Sequence, residues 1–196
     1  MASILQSLER TLAAGLVLLI AIIVVAGLVS GIKFDYQWWV SVMLWLHVVS
    51  GVMWIGILWY FNFVQIPTVP KIEPVEHRAA ITKYIAPEAL FWFRYGALAT
   101  VLTGLVVAFM QGYLREALTF QKGVLAIGIG MWLALLMAFN VWFIIWPNQK
   151  KALGLVPCSP EEKAKAGRLA MLVSRNNTML SIPMLFCMVA QRFGVF

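Results

Sequence analysis

Charge is scarce in this sequence. Of its 196 residues, 12% are Asp, Glu, Lys or Arg and 62% are hydrophobic, where a soluble domain is near a quarter charged and half apolar. That balance excludes an ordinary soluble globule and points to a polytopic membrane protein. Histidine is scarcer still, with two copies, and cysteine likewise. Cys158 falls in a polar loop and Cys187 in an apolar run, so neither a disulfide nor a thiolate metal site is expected. No two carboxylates share an apolar run, and Glu88 sits at a helix start, where the dipole favours it. Pumps and cation channels usually carry acidic residues within their spans, so transport of ions or small molecules ranks last among functions. A Walker loop, a dinucleotide fingerprint and a CxxCH haem-attachment motif are all missing from the sequence.

What is abundant is apolar length. Five runs are long enough to be spans, at about 11–31, 38–66, 88–113, 124–146 and 177–193. The first is too long for a signal-peptide core and reads as a retained span. Its Gly27 and Gly31 form a GxxxG step that hints at close helix contact. Pro67 and Pro70 are expected to end the second span, Pro87 to open the third, and Pro147 to stop the fourth. Gly96, Thr100 and Gly104 put small residues on one face of the third. Before the fifth span, Ser159, Pro160 and Glu162 spell a capping box, so a polar cytoplasmic helix is expected at 159–176, running on into the span. Pro183 is a candidate kink.

The net charge of +7 does not call for nucleic acid, because the basic residues lie between spans. Loops on the N-terminal side carry Arg10, Lys71, Arg78, Lys83, Lys150 and Lys151, and the other side fewer. The positive-inside rule then places the N-terminus in the cytoplasm and the C-terminus in the periplasm. The expected fold is all-α, one integral membrane domain of about five helices in a bacterial inner membrane. Its nine tryptophans suit repeated crossing of the interface.

Polar residues inside the spans are the functional candidates. His47, in "LHVVSGVMWIG", is about nine residues into its span, or about 14 Å deep. Ser50, Gly51 and Trp54 share its face. A neutral histidine bonded to a neighbouring helix explains this spacing. So does a haem ligand whose other ring nitrogen is held by Ser50 or a backbone carbonyl. The other histidine, His77, lies in a polar loop, which leaves a methionine, that loop histidine or an open position for any sixth ligand. Arg94 is less than two turns into the third span, where a haem propionate, an anionic substrate or a lipid phosphate could meet it. Asn62, Asn140 and Asn177 fall at similar depth and suggest a polar ring below the level of His47.

Four stretches in order, "LHVVSGVMWIGILWYFNF", "LFWFRYGALATVLTG", "NVWFIIWPNQKKALGLV" and "SRNNTMLSIPMLFCMVAQ", resemble the membrane domain at the N-terminus of bacterial membrane-bound urate hydroxylases, the urate oxidase N-terminal family. His47, Trp54, Gly56 and Tyr60 fit its histidine–tryptophan–glycine–aromatic pattern. The resemblance implies a membrane oxidoreductase passing electrons to a cytochrome; joined to the reading of His47 above, the expected function is a b-type haem electron-transfer or oxidoreductase component, with His47 as axial ligand and Arg94 as a propionate or substrate partner. That cytochrome is often fused in the family and does not occur in this sequence up to Phe196. The resemblance also implies histidines at Phe91 and near Asn176 and Arg192, and an acidic residue at Gly96, all of which differ here. A cofactor-free subunit of a larger membrane complex is the alternative function.

Overall fold

The computed structural model describes residues 2–194, with side chains from residue 4, and every regular element among them is helical. The chain divides into two units, residues 1–39 and 40–196.

The first unit is dominated by α1, Leu8–Ser30. It is apolar all round rather than on one stripe, the pattern of a membrane span. It stops at Gly31, which adopts a left-handed φ of 69° and returns its N–H to the Gly27 carbonyl. Gly31 is therefore a helix stop that lacks the Cβ penalty of this conformation. Only Gly27 of the expected GxxxG step lies within the helix. Asp35 then accepts from the Trp38 N–H at 3.1 Å, closing the first turn of the next helix.

Three long helical stretches follow, α2 at Tyr36–Lys71, α3 at Val75–Met110 and α4 at Leu125–Ala152; with α1 they are, among the described residues, the four helices long and apolar enough to cross a membrane. A fifth helix, α5, runs unbroken from Pro160 to Ala190. Its 31 residues would span about 46 Å. Arg175, Asn176 and Asn177 make it more polar than the other four. The span expected at 177–193 is its C-terminal half, and Pro183 lies inside it without breaking it.

Three of the expected span boundaries are not boundaries. α2, α3 and α4 each contain a wide π-type stretch, at Tyr60–Gln65, Ile81–Ile85 and Asn140–Ile145. The bonds Ile66 N–H to Phe61, Ala86 to Ile81 and Trp146 to Val141 each skip five residues. A proline directly follows each donor residue, at Pro67, Pro87 and Pro147, two residues past the end of each stretch. In a regular helix the ring would clash with the carbonyl four residues back and the missing N–H would leave a gap. The wider turn makes room, and the helix passes through its proline.

The second unit reverses the polarity of a soluble core. Phe109, Phe143 and Ile182 are 72%, 68% and 65% exposed, while Arg94, Thr100, Asn140, Ser174, Asn177 and Ser181 are buried. Apolar residues facing lipid and polar residues facing each other are what a hydrocarbon solvent demands.

At the start of α5 the capping box forms as the sequence implies. The Ser159 hydroxyl accepts from the Glu162 N–H at 3.2 Å, and the Ser159 N–H donates to the Glu162 carboxylate at 2.9 Å. Those bonds favour the ionised carboxylate and lower its pKa. A lowered folded pKa means the stabilisation is complete above the ordinary Glu range and disappears as pH falls through the folded value. The Ser159 amide proton shift should therefore titrate with a midpoint below that of a free Glu, and Glu162→Gln should abolish the step.

Candidate functional site

α2 and α3 meet along a seam of small residues. A Cβ on Gly96 would lie 3.2 Å from the Trp54 backbone nitrogen, and one on Gly51 would touch the Thr100 methyl at 3.8 Å. Higher in the seam, a Cβ on Gly104 would fall 2.8 Å from His47 Cε1. The glycine thus makes the hollow that the imidazole fills.

His47 Nδ1 is 2.9 Å from the Thr100 carbonyl and 3.3 Å from Thr103 Oγ1. A carbonyl can only accept, so Nδ1 carries the proton and donates it. The Thr103 hydroxyl is itself committed to the Ala99 carbonyl at 2.6 Å. This tautomer leaves the Nε2 lone pair free, and no hydrogen bond to it occurs among the described residues. The backbone carbonyl, not Ser50, orients the ring, because the Ser50 hydroxyl turns back to the Leu46 carbonyl at 2.8 Å. Trp54 is fully buried, and its indole N–H finds no acceptor.

Arg94 lies on α3 six residues before Thr100, about 9 Å along the axis. It is 8% exposed. Its guanidinium stacks 3.4 Å from the centre of the Trp146 ring on α4, and its NH1 nitrogen has no hydrogen-bond partner. Stacking offsets part of the cost of a buried cation, and the free N–H group leaves an acceptor wanting. His77, exposed near the start of α3, is about 35 Å along that helix from the level of Thr100. It cannot reach the His47 level, so a second ligand from this loop is ruled out within one chain.

The three asparagines form contacts with α5 rather than a closed ring. Asn140 donates to Asn177 at 2.8 Å, and Asn177 donates to the Met137 carbonyl at 2.9 Å. Asn62 donates to Ser174 at 2.8 Å, and the Trp59 indole donates to Ser181 at 2.9 Å. Arg175 and Asn176, expected in the same layer, point outward and are exposed. Ser174 and Ser181 were not singled out from the sequence. Their spacing of three and four residues about Asn177 on one helical face was the available signal.

A family model described as "Urate oxidase N-terminal" matches residues 118–196. The match covers about two fifths of the chain and makes that C-terminal segment similar to this family. The matched region contains Trp146, Asn140 and the polar face of α5, while His47 and Arg94 precede it. No curated protein and no solved structure matches the chain. Gly96, where the resemblance implied a carboxylate, is where α3 packs directly on the α2 backbone at Trp54. Its Cβ space is already taken by helix backbone, so an acidic side chain there would need the two helices to part.

Gly104→Ala should push the imidazole off the Thr100 carbonyl and cost about 1–3 kcal/mol of stability. Gly56→Ala, whose new methyl would meet nothing within 4 Å, is the matched control and should not destabilise. Nitrogen NMR of labelled His47 should show the hydrogen-bonded Nδ1–H in the control and its loss in Gly104→Ala.

Proposed function

We propose that this protein belongs to the urate oxidase N-terminal family, which its C-terminal segment resembles, and is a b-type haem component of an electron-transfer or oxidoreductase system, with His47 as the axial ligand. The observation that carries the reading is the fixed tautomer of His47. Nδ1–H is held by the Thr100 carbonyl, which orients the ring and leaves Nε2 bare, the usual arrangement of a ligating histidine. The unpartnered NH1 of buried Arg94 fits a propionate. Haem, when bound, supplies one-electron chemistry. The chain's own residues do the rest. Gly104 keeps the imidazole seated, and Thr100 prevents it from rotating. Arg94 offers charge-assisted hydrogen bonds to a carboxylate, and the apolar seam excludes water. An electron partner such as a periplasmic cytochrome c fits the topology expected from the loop charges, and the bacterial inner membrane fits that partner.

A cofactor-free subunit of a larger membrane complex is the second reading. The specific observation in its favour is the closed contact at Gly96 and Trp54, which leaves no slot for a flat group between α2 and α3 at that level.

The visible spectrum separates the two. Protein purified from haem-replete cells should show a Soret band that shifts on reduction by dithionite and is lost in His47→Ala at unchanged elution volume. A colourless wild-type protein that co-purifies with a fixed set of other chains would reject the haem proposal and support the subunit.

A further inference from the structure

Two cations share one indole near the end of α4. The Arg94 guanidinium stacks 3.4 Å from the centre of the Trp146 ring, and Lys150 Nζ lies 5.7 Å from the same centre. The two charges are therefore within about 9 Å of each other, close enough to repel where little water screens them. No carboxylate answers them: among the described residues the ion pairs are Arg78–Glu73 and Lys165–Glu161. Glu88, the acidic residue nearest to Arg94 in sequence, accepts instead from the Trp92 indole at 3.0 Å. An indole attracts a cation through its ring electrons but carries no charge to neutralise it. The pair lacks an anion.

Arg94 is mostly buried, yet its guanidinium is not closed off. Among the described residues none of its side-chain nitrogens makes a hydrogen bond, and of the three only NH1 is sealed from the surface. Nε and NH2 reach that surface with their N–H groups unused. A guanidinium fork matches the oxygens of a phosphate. A phosphate so held has its phosphorus about 4 Å from each donor nitrogen, so one phosphate bridges cations at this separation. The surroundings select its source. Phe139 and Phe143 stack with centroids 4.9 Å apart and are 52% and 68% exposed. Along α4, rings facing hydrocarbon thus give way to the Trp146 indole and then to the Lys150 ammonium. A phospholipid has the same order of tail, interface and headgroup. A free phosphate would leave the apolar half unused.

We propose that Arg94, Trp146 and Lys150 form a site for an anionic phospholipid. Its headgroup phosphate bridges the guanidinium and the ammonium, and an acyl chain lies over Phe139 and Phe143. On the topology expected from the loop charges, the lipid belongs to the cytoplasmic leaflet, where basic pockets between helices take anionic headgroups. A zwitterionic lipid is disfavoured, because its own cation would join two others. The site goes beyond the haem proposal. It uses the Arg94 nitrogens other than NH1 and needs neither His47 nor haem, so a colourless protein leaves it standing.

The test is native mass spectrometry of the full chain released from delipidated detergent micelles. The probes are dioleoyl phosphatidylglycerol and dioleoyl phosphatidylcholine, which share tails and differ in headgroup charge. The first phosphatidylglycerol is expected to bind at least about tenfold tighter than phosphatidylcholine. Arg94→Gln and Lys150→Gln should each weaken phosphatidylglycerol by about fivefold or more and leave phosphatidylcholine unchanged. Lys150 is only half-buried, so its variant decides the matter if Arg94→Gln fails to fold. Lys165→Gln removes a positive charge that Glu161 already pairs, and should change neither affinity. Inorganic phosphate in excess over the lipid should not displace it. Equal affinity for the two lipids, displacement by phosphate, or a preference for phosphatidylglycerol that Lys150→Gln leaves intact would each overturn the proposal. So would an equal loss in Lys150→Gln and Lys165→Gln, which would mark a response to net charge alone.

Discussion

The structure of the second unit depends on one physical constraint, that polar groups in hydrocarbon must find each other. Asn177 meets it most completely. It has no exposed surface, and its amide both accepts from Asn140 and donates to the Met137 carbonyl. With Ser174 and Ser181 it gives α5 a buried polar face that takes donors from α2 and α4. A helix too polar to count among the apolar spans is thereby held against α2 and α4. Apolar residues cannot supply this specificity in lipid, because one Leu surface is as well solvated by acyl chains as by another helix.

The α2–α3 seam answers the same constraint differently. Here small residues let two backbones approach, so that a side chain on one helix can use a carbonyl of the other. His47 and Thr100 are the outcome, and Gly104 provides the space. The seam and the α5 face join the four helices of the unit through hydrogen bonds of different kinds. Among the described residues, the buried side-chain atoms left without a partner are on Trp54, Asn62, Gln65, Arg94 and Trp142.

Much of this was legible in the sequence. Apolar run length marked the four helices long and apolar enough to cross a membrane, its fifth expected span is only the C-terminal half of the more polar α5, and the Ser159–Glu162 spacing marked the start of α5. The glycine and threonine repeat at Gly96, Thr100 and Gly104 marked the seam, and His47, Arg94 and the asparagines announced themselves as costly residues in spans. The prolines misled, because their local rule is to end helices, and whether a helix widens and continues depends on neighbours that hold it. The partner of His47 was not legible either. A carbonyl carries no signature in sequence, so Thr100 was visible as a small residue and not as an acceptor. Arg94 on Trp146 joins residues on two helices, which spacing within one helix cannot reveal.

The most direct test of this view is a double-mutant cycle on Asn140 and Asn177, both changed to Ala singly and together, with unfolding measured in lipid or mixed micelles. A favourable coupling of about 1 kcal/mol is expected, within the range for hydrogen bonds between membrane helices. Each single variant should also lose stability, because each leaves a buried amide short of a partner. Strictly additive effects, with no coupling, would contradict the claim that the polar face of α5 holds the bundle together.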